Sequence, residues 1–223
     1  MRDAYVSAGA VWAILAKEWR SEWRTRYSLN AALLFTVASL TVVSFSTGRV
    51  TGRADLLSAF FWLVVLFAAL AGLGYGFVRE VESHTMTTLR MAAPPTAIAL
   101  GKLLFNWMFL LLLELVAVPL YLILMAPPAP HWGPFLAVLG LASVGLAAAA
   151  TLVAAIIAQS RMKGALFAAI SLPIVLPVLA AAVSGTRAQW EGASVLADVG
   201  VLAAYAAAIM AASLLLYDHL WGD

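Results

Sequence analysis

Six apolar stretches, each close to the length that crosses a lipid bilayer, leave this chain of 223 residues little freedom of fold. They lie at about 29–46, 56–78, 101–125, 133–158, 165–184 and 198–220. In hydrocarbon a backbone must satisfy its own hydrogen bonds, so each stretch is expected to form an α-helix. The expected fold is therefore an all-α integral membrane protein with six transmembrane helices, a single transmembrane domain over 1–223. With 64% hydrophobic and 11% charged residues, nothing remains that could fold as a separate soluble domain, and any soluble activity has to come from a partner. A net charge of +2 gives no footprint for nucleic acid, and the lack of cysteine excludes disulfides and thiolate metal sites.

Six spans place both termini on one side, and the basic residues choose the side. With cytoplasmic termini, Arg2, Lys17, Arg20, Arg24, Arg26, Arg79, Arg90, Lys102, Arg161 and Lys163 are inside, whereas only Arg49, Arg53 and Arg187 are outside. That asymmetry predicts a multi-pass protein with both termini in the cytoplasm.

Residues 1–28 end in KEWRSEWR with no small-residue cleavage site, so they are expected to stay attached rather than act as a signal peptide. Trp12, Leu15, Trp19 and Trp23 recur at helical spacing, with Lys17, Glu18, Arg20 and Arg24 on the remaining surface. This pattern predicts an N-terminal amphipathic helix in the membrane interface, its tryptophans at headgroup depth and its cations toward anionic lipid. The competing reading is a simple lead-in to the first span.

Between the second and third spans lies a polar island, Arg79 to Lys102. Arg79, Glu80, Glu82, His84, Thr85 and Arg90 are polar while Val78, Val81, Met86 and Leu89 share a face, and Pro94 and Pro95 close the segment. A short amphipathic helix here, within a cytoplasmic segment 79–97, could pass a partner's motion into the bundle; a solvated loop is the plain alternative. The sequence offers no recognisable ATP site. Gly101-Lys102 lacks the rest of a phosphate loop, with Thr96 and Leu103 at the positions that need glycine and a hydroxyl residue. Lys102 and Trp107 read as interfacial anchors of the third span.

Glu114 stands within FLLLLELVAVPL, where a carboxyl group is costly against lipid and must face the bundle, a subunit interface or a wet path. A transport role and a structural hydrogen bond both fit. Pro173 and Pro177 are expected to bend or break the fifth span. The loop around GTRAQWEGAS reads as a short helix folded back on the outer surface. His84, His131 and His219 are too dispersed for a metal centre, and no pattern suggests a catalytic nucleophile or a paired acid and base.

These residues together resemble the CcmB family, the ABC-2-like membrane subunit of haem export in cytochrome c maturation. The likeness rests on the charged KEWRSEWR lead, the acidic island ending in proline, and Lys102 followed by Asn106-Trp107 and Pro119. It rests further on Arg161 and Lys163-Gly164 before the fifth span and on Leu172-Pro173 followed by Pro177. His84 departs from the family, which has glycine there. The resemblance implies an ABC-2 exporter-like permease in the bacterial inner membrane, present in two copies and binding no cofactor directly. ATP would enter through the ATPase subunit CcmA, with CcmC and CcmD as further partners. Haem would be a transported or handled ligand, and release of the haem-loaded chaperone CcmE the outcome. A generic ABC-2 permease for a lipid, drug or polysaccharide, and a non-transport membrane scaffold, are the alternatives.

Overall fold

The computed structural model describes residues 8–47, 53–82, 93–157 and 164–221. Among them every element is an α-helix: α1 Ala8–Thr25, α2 Tyr27–Thr47, α3 Ala54–Glu82, α4 Pro95–Met125, α5 Trp132–Ile157, α6 Gly164–Trp190 and α7 Leu196–Trp221. Helices α2 to α7 are each long and apolar enough to cross a membrane, as expected for a multi-pass membrane protein. The even number of spans brings α1 and the end of α7 to one side, the terminal face.

The two most enclosed spans are α3 and α5, while α2 and α7 lie at the periphery. Helix α4 touches α1, α2, α3, α5 and α7, which makes it the hub of the first half of the chain. The second half is an α5, α6 and α7 cluster in which alanine-rich faces allow close backbone approach: Ser213 Oγ donates to the Ala148 carbonyl at 3.3 Å.

Away from the terminal face the bundle is tied by side chains. Tyr121 of α4 donates to the Leu57 carbonyl of α3 at 2.8 Å, and Trp62 Nε1 of α3 donates to Thr186 Oγ1 of α6 at 2.8 Å. Ser44 of α2 donates to the Leu124 carbonyl at 3.0 Å, and the His131 backbone N–H donates to Gln189 Oε1 at 3.0 Å. Phe61 sits at the centre of this layer, with ring centroids 5.1 Å from Tyr121 and 5.3 Å from Trp62. Tyr121 in turn stacks on Trp190 at 6.1 Å. The Tyr121 and Trp62 bonds are buried, where a missing partner would cost about 1–3 kcal/mol, so this end of the bundle is strongly specified.

Of the bend or break expected at Pro173 and Pro177, the break does not occur: α6 runs from Gly164 to Trp190 as one helix. Close to the prolines, the Tyr205 hydroxyl of α7 donates to the Ile174 carbonyl. The GTRAQW stretch is likewise no separate outer helix but the last turns of α6. What stops the helix is Gly192, left-handed at φ +71, with Ala193 N–H bonded to the Ala188 carbonyl at 2.8 Å and Gly192 N–H reaching Gln189 at 3.4 Å. This is the paired bond pattern of a glycine-terminated helix.

Candidate functional site

Among the described residues the helices on either side of the polar island are the two longest, α3 with 29 residues and α4 with 31. At 1.5 Å per residue, α4 extends about 46 Å against a hydrocarbon core of about 30 Å. The excess lies on the terminal face. Helix α2 runs alongside α4 with Ser44 at the level of Leu124, and Gly72 of α3 packs between Ala32 of α2 and Phe109 of α4. By Tyr27, where α2 begins, α4 still has its first two to three turns to run.

Helix α1 sheathes that overhang. Ile14 packs with Ala97, Ile98 and Ala99. At Gly101 an added Cβ would stand 2.6 Å from Ile14 Cγ2 and 3.2 Å from the Val11 carbonyl oxygen, so only the missing side chain permits this approach. Beside it, Lys102 Nζ donates to Glu18 Oε1 at 3.1 Å, both side chains largely withdrawn from solvent. Trp19 meets the edge of Phe105, centroids 6.2 Å apart. Lys102, expected as an interfacial anchor, is thus a partner of α1. The Trp107 ring packs against the main core, with its indole nitrogen shielded.

A one-residue joint sets the course of α1. Arg26 is left-handed at φ 53, and its guanidinium lies 5.1 Å from the centroid of the Trp23 ring. Across the joint, buried Glu22 accepts a 2.9 Å hydrogen bond from Leu29 N–H in the first turn of α2. A carboxylate there satisfies an otherwise open donor and meets the positive end of the helix dipole. Glu22 was not singled out from the sequence; its signal was a carboxylate shortly before the first apolar span.

The island itself is divided. Arg79, Glu80 and Glu82 lie on the final turns of α3, which continues past the expected span end at 78. His84, Thr85 and Arg90 lie outside the described residues. On the far side, Pro94 is extended at φ −65 and ψ 147, and its carbonyl accepts from Ala97 and Ile98 at 3.0 and 3.2 Å, so α4 starts with Pro95 in its first turn. The chain re-enters the bundle through a stiff proline pair directly below the Ile14 contact.

Deeper in, α4 and α5 share a polar seam. Asn106 Nδ2 donates to Thr151 Oγ1 at 3.0 Å, and Ser143 Oγ lies 2.7 and 2.8 Å from the two carboxyl oxygens of Glu114. Eight positions separate Asn106 from Glu114 and Ser143 from Thr151, so the two bonds are rungs of one antiparallel register. Glu114 is 2% exposed. The Ser143 hydroxyl also lies 2.7 Å from the Leu139 carbonyl, yet it has a single proton to donate. The group is satisfied throughout when Ser143 donates to Leu139 and the Glu114 carboxyl O–H donates to Ser143. Of the two sequence readings of Glu114, the geometry supplies the interhelical bond.

Between α3, α5 and α6 the interior gap lined by Leu66, Leu73, Leu146 and Val175 offers about 10 Å³, the lower limit for a single water molecule. A larger groove, about 660 Å³, opens along α1 and is lined by Trp12, Trp19, Arg20, Trp23, Arg24 and Met108.

Residues 9–219 match the family described as CcmB protein. The chain belongs to the CcmB family. A relative named Heme exporter protein B from Rhodobacter capsulatus is 28% identical over 202 residues, covering 89% of this chain and 92% of that protein. In this CcmB-family chain the matched region takes in all seven helices except the first residue of α1 and the last two of α7, so the α1–α4 contact and the α4–α5 seam both belong to the family region.

Proposed function

We propose that this chain is the permease subunit of an ABC-type complex in cytochrome c maturation, in the bacterial inner membrane with both termini in the cytoplasm. In this reading a separate ATPase subunit, CcmA, hydrolyses ATP against segment 79–97, and CcmC and CcmD join two copies of the permease. The work is spent on haem delivery or on releasing the haem-loaded chaperone CcmE. The family match and the name of the relative support the haem assignment.

The observation that carries the mechanical part is the clamp of α1 on the overhanging start of α4. A push on segment 79–97 reaches α4 through the Pro94-Pro95 pair, and the contacts at Gly101 and Lys102 oblige α1 to follow. The seam bonds of Asn106 and Glu114 pass the displacement to α5. The tied layer around Phe61, at the other end of the bundle, acts as the pivot. Mechanical work on the complex is favoured over a haem path through one subunit because the clamp and the seam link the start of α4 to both α1 and α5.

The test is co-purification of the detergent-solubilised chain with identification of bound proteins and an ATPase assay. Recovery of an ATPase together with CcmC is the expected result. Reversing Glu80 and Glu82 to lysine should reduce ATPase recovery while leaving membrane insertion intact. An ATPase without CcmC would redirect the reading to a generic exporter, and normal ATPase recovery by the reversed variant would remove segment 79–97 as the docking point.

A further inference from the structure

The groove along α1 has a charge imbalance that its own fold does not settle. Of the carboxylates of α1, Glu18 is bonded to Lys17 and Lys102, and Glu22 to the Leu29 N–H. The cation of Arg26 lies over Trp23. Arg20 and Arg24 remain, both exposed, one helical turn apart on the groove wall, and no carboxylate among the described residues pairs with either. Residues four apart on a helix have Cβ atoms about 5–6 Å from each other, a spacing at which two guanidiniums can share one phosphodiester.

The rest of the groove is apolar and aromatic. Trp12 and Trp23 are 69% and 54% exposed, and Trp19 and Trp23 stack at 6.1 Å. The floor is Met108 of α4, the first member of a helical stripe, Met108, Leu111 and Leu115, that is 40%, 37% and 71% exposed. This stripe leads from the groove along the span toward the bilayer centre, so an occupant with its charge between the arginines has a ready path for hydrocarbon chains. A volume of about 660 Å³ suits a headgroup and the start of two chains.

We propose that this groove is a discrete binding site for one anionic phospholipid of the leaflet on the terminal face, its phosphate held by Arg20 and Arg24 and its chains laid along Met108, Leu111 and Leu115. A soluble anion would leave the tryptophans and the stripe unused. A second copy of this chain seated symmetrically here would bring further arginines to the same place. The site goes beyond the family assignment and is independent of which complex the chain joins. Bound lipid would extend the contact between α1 and α4 by filling the cleft between them.

The test uses the full-length chain in detergent with phosphatidylglycerol, phosphatidylcholine and inorganic phosphate as probes, read by native mass spectrometry. The expected result is one phosphatidylglycerol retained per chain, at least tenfold preference over phosphatidylcholine, and at least tenfold weaker retention in the Arg20→Gln, Arg24→Gln double variant. Equal retention of the two lipids, or of phosphatidylglycerol by the double variant, would overturn the proposal. Displacement by inorganic phosphate would overturn it in favour of a soluble anion, and loss of lipid on dimerisation in favour of a second copy. If the double variant does not fold, phosphatidylglycerol brominated on its acyl chains serves instead. It should quench the native chain more than a Trp19→Phe, Trp23→Phe variant, and equal fractional quenching would overturn the site.

Discussion

Glu18 of α1 and Lys102 of α4 meet at 3.1 Å, one turn of α1 beyond the point where Ile14 presses on Gly101. The pair is neither open to solvent nor fully buried. Its contribution therefore falls between that of an exposed ion pair and that of a buried one whose partner is removed, about 1–2 kcal/mol. Lys102→Ala should lower the stability of the detergent-solubilised protein by that amount and free α1. Because the chain contains no cysteine, a Leu15→Cys variant gives a clean readout. Its thiol, at a position 7% exposed, should label slowly in the native background and faster with Lys102→Ala. The exchange Glu18→Lys with Lys102→Glu should restore protection; unchanged labelling in the single variant would show that the pair does not hold α1.

Gly101→Val should be more damaging than its size suggests. Its Cβ would start 2.6 Å from Ile14 and 3.2 Å from the Val11 carbonyl, and backbone cannot turn aside as a flexible side chain can. A loss of about 1–3 kcal/mol is expected from such overpacking. Gly140→Ala is the control, since nothing lies within 4 Å of the Cβ it would add. Its thermal midpoint should stay level or rise slightly as helix propensity improves. Equal effects at the two glycines would mean that α1 is not seated as described.

Ser143→Ala should destabilise by about 1–3 kcal/mol, because it leaves the buried Glu114 carboxyl without its partner. Glu114→Gln should cost less. Its amide keeps a donor for Ser143 while Ser143 bonds to the Leu139 carbonyl. Thermal unfolding of the two variants in detergent separates the cases, and a Gln variant as unstable as the Ala variant would contradict the donor arrangement.

Tyr205→Phe removes the donor to the Ile174 carbonyl beside two prolines. Interhelical hydrogen bonds in membranes are worth about 0.6 to 1.7 kcal/mol, and the loss should fall in that range. The donor that Pro173 lacks belongs to the Ala169 carbonyl and not to that of Ile174, so in a Pro173→Ala background the same change should cost about as much. A double-mutant cycle on thermal stability checks this; a coupling well above about 0.5 kcal/mol would show that the tyrosine does compensate for the proline.

The six spans were legible in the sequence because apolar length is a local property and the bilayer enforces it. The helix ends were less so. At 79–82 and 185–190 the residues turn polar while the helix continues, since backbone hydrogen bonds have no reason to stop where hydrocarbon does. Only Gly192 marks a true stop in α6. Glu114 declared itself as a group that must turn inward, but Ser143 did not, because register between helices is settled by packing along their whole length. The clue lay in matched spacing: two polar residues eight apart in each of two consecutive antiparallel spans. Glu18 looked like one more charge on a solvated face, and only the approach of α1 to Gly101 makes it the partner of Lys102.

The single-residue joint at Arg26 has a consequence for how the protein is made. Both halves of the elbow, the left-handed turn and the Glu22 bond to Leu29, lie within a few residues of sequence. The bend can therefore form while the first span is being delivered to the membrane. Its docking face on α4 is synthesised only two spans later. During that interval α1 already has its direction and exposes its tryptophans with nothing yet to lie against, so the nascent chain presents a preset arm to the lipid surface and the third span is threaded in beneath it.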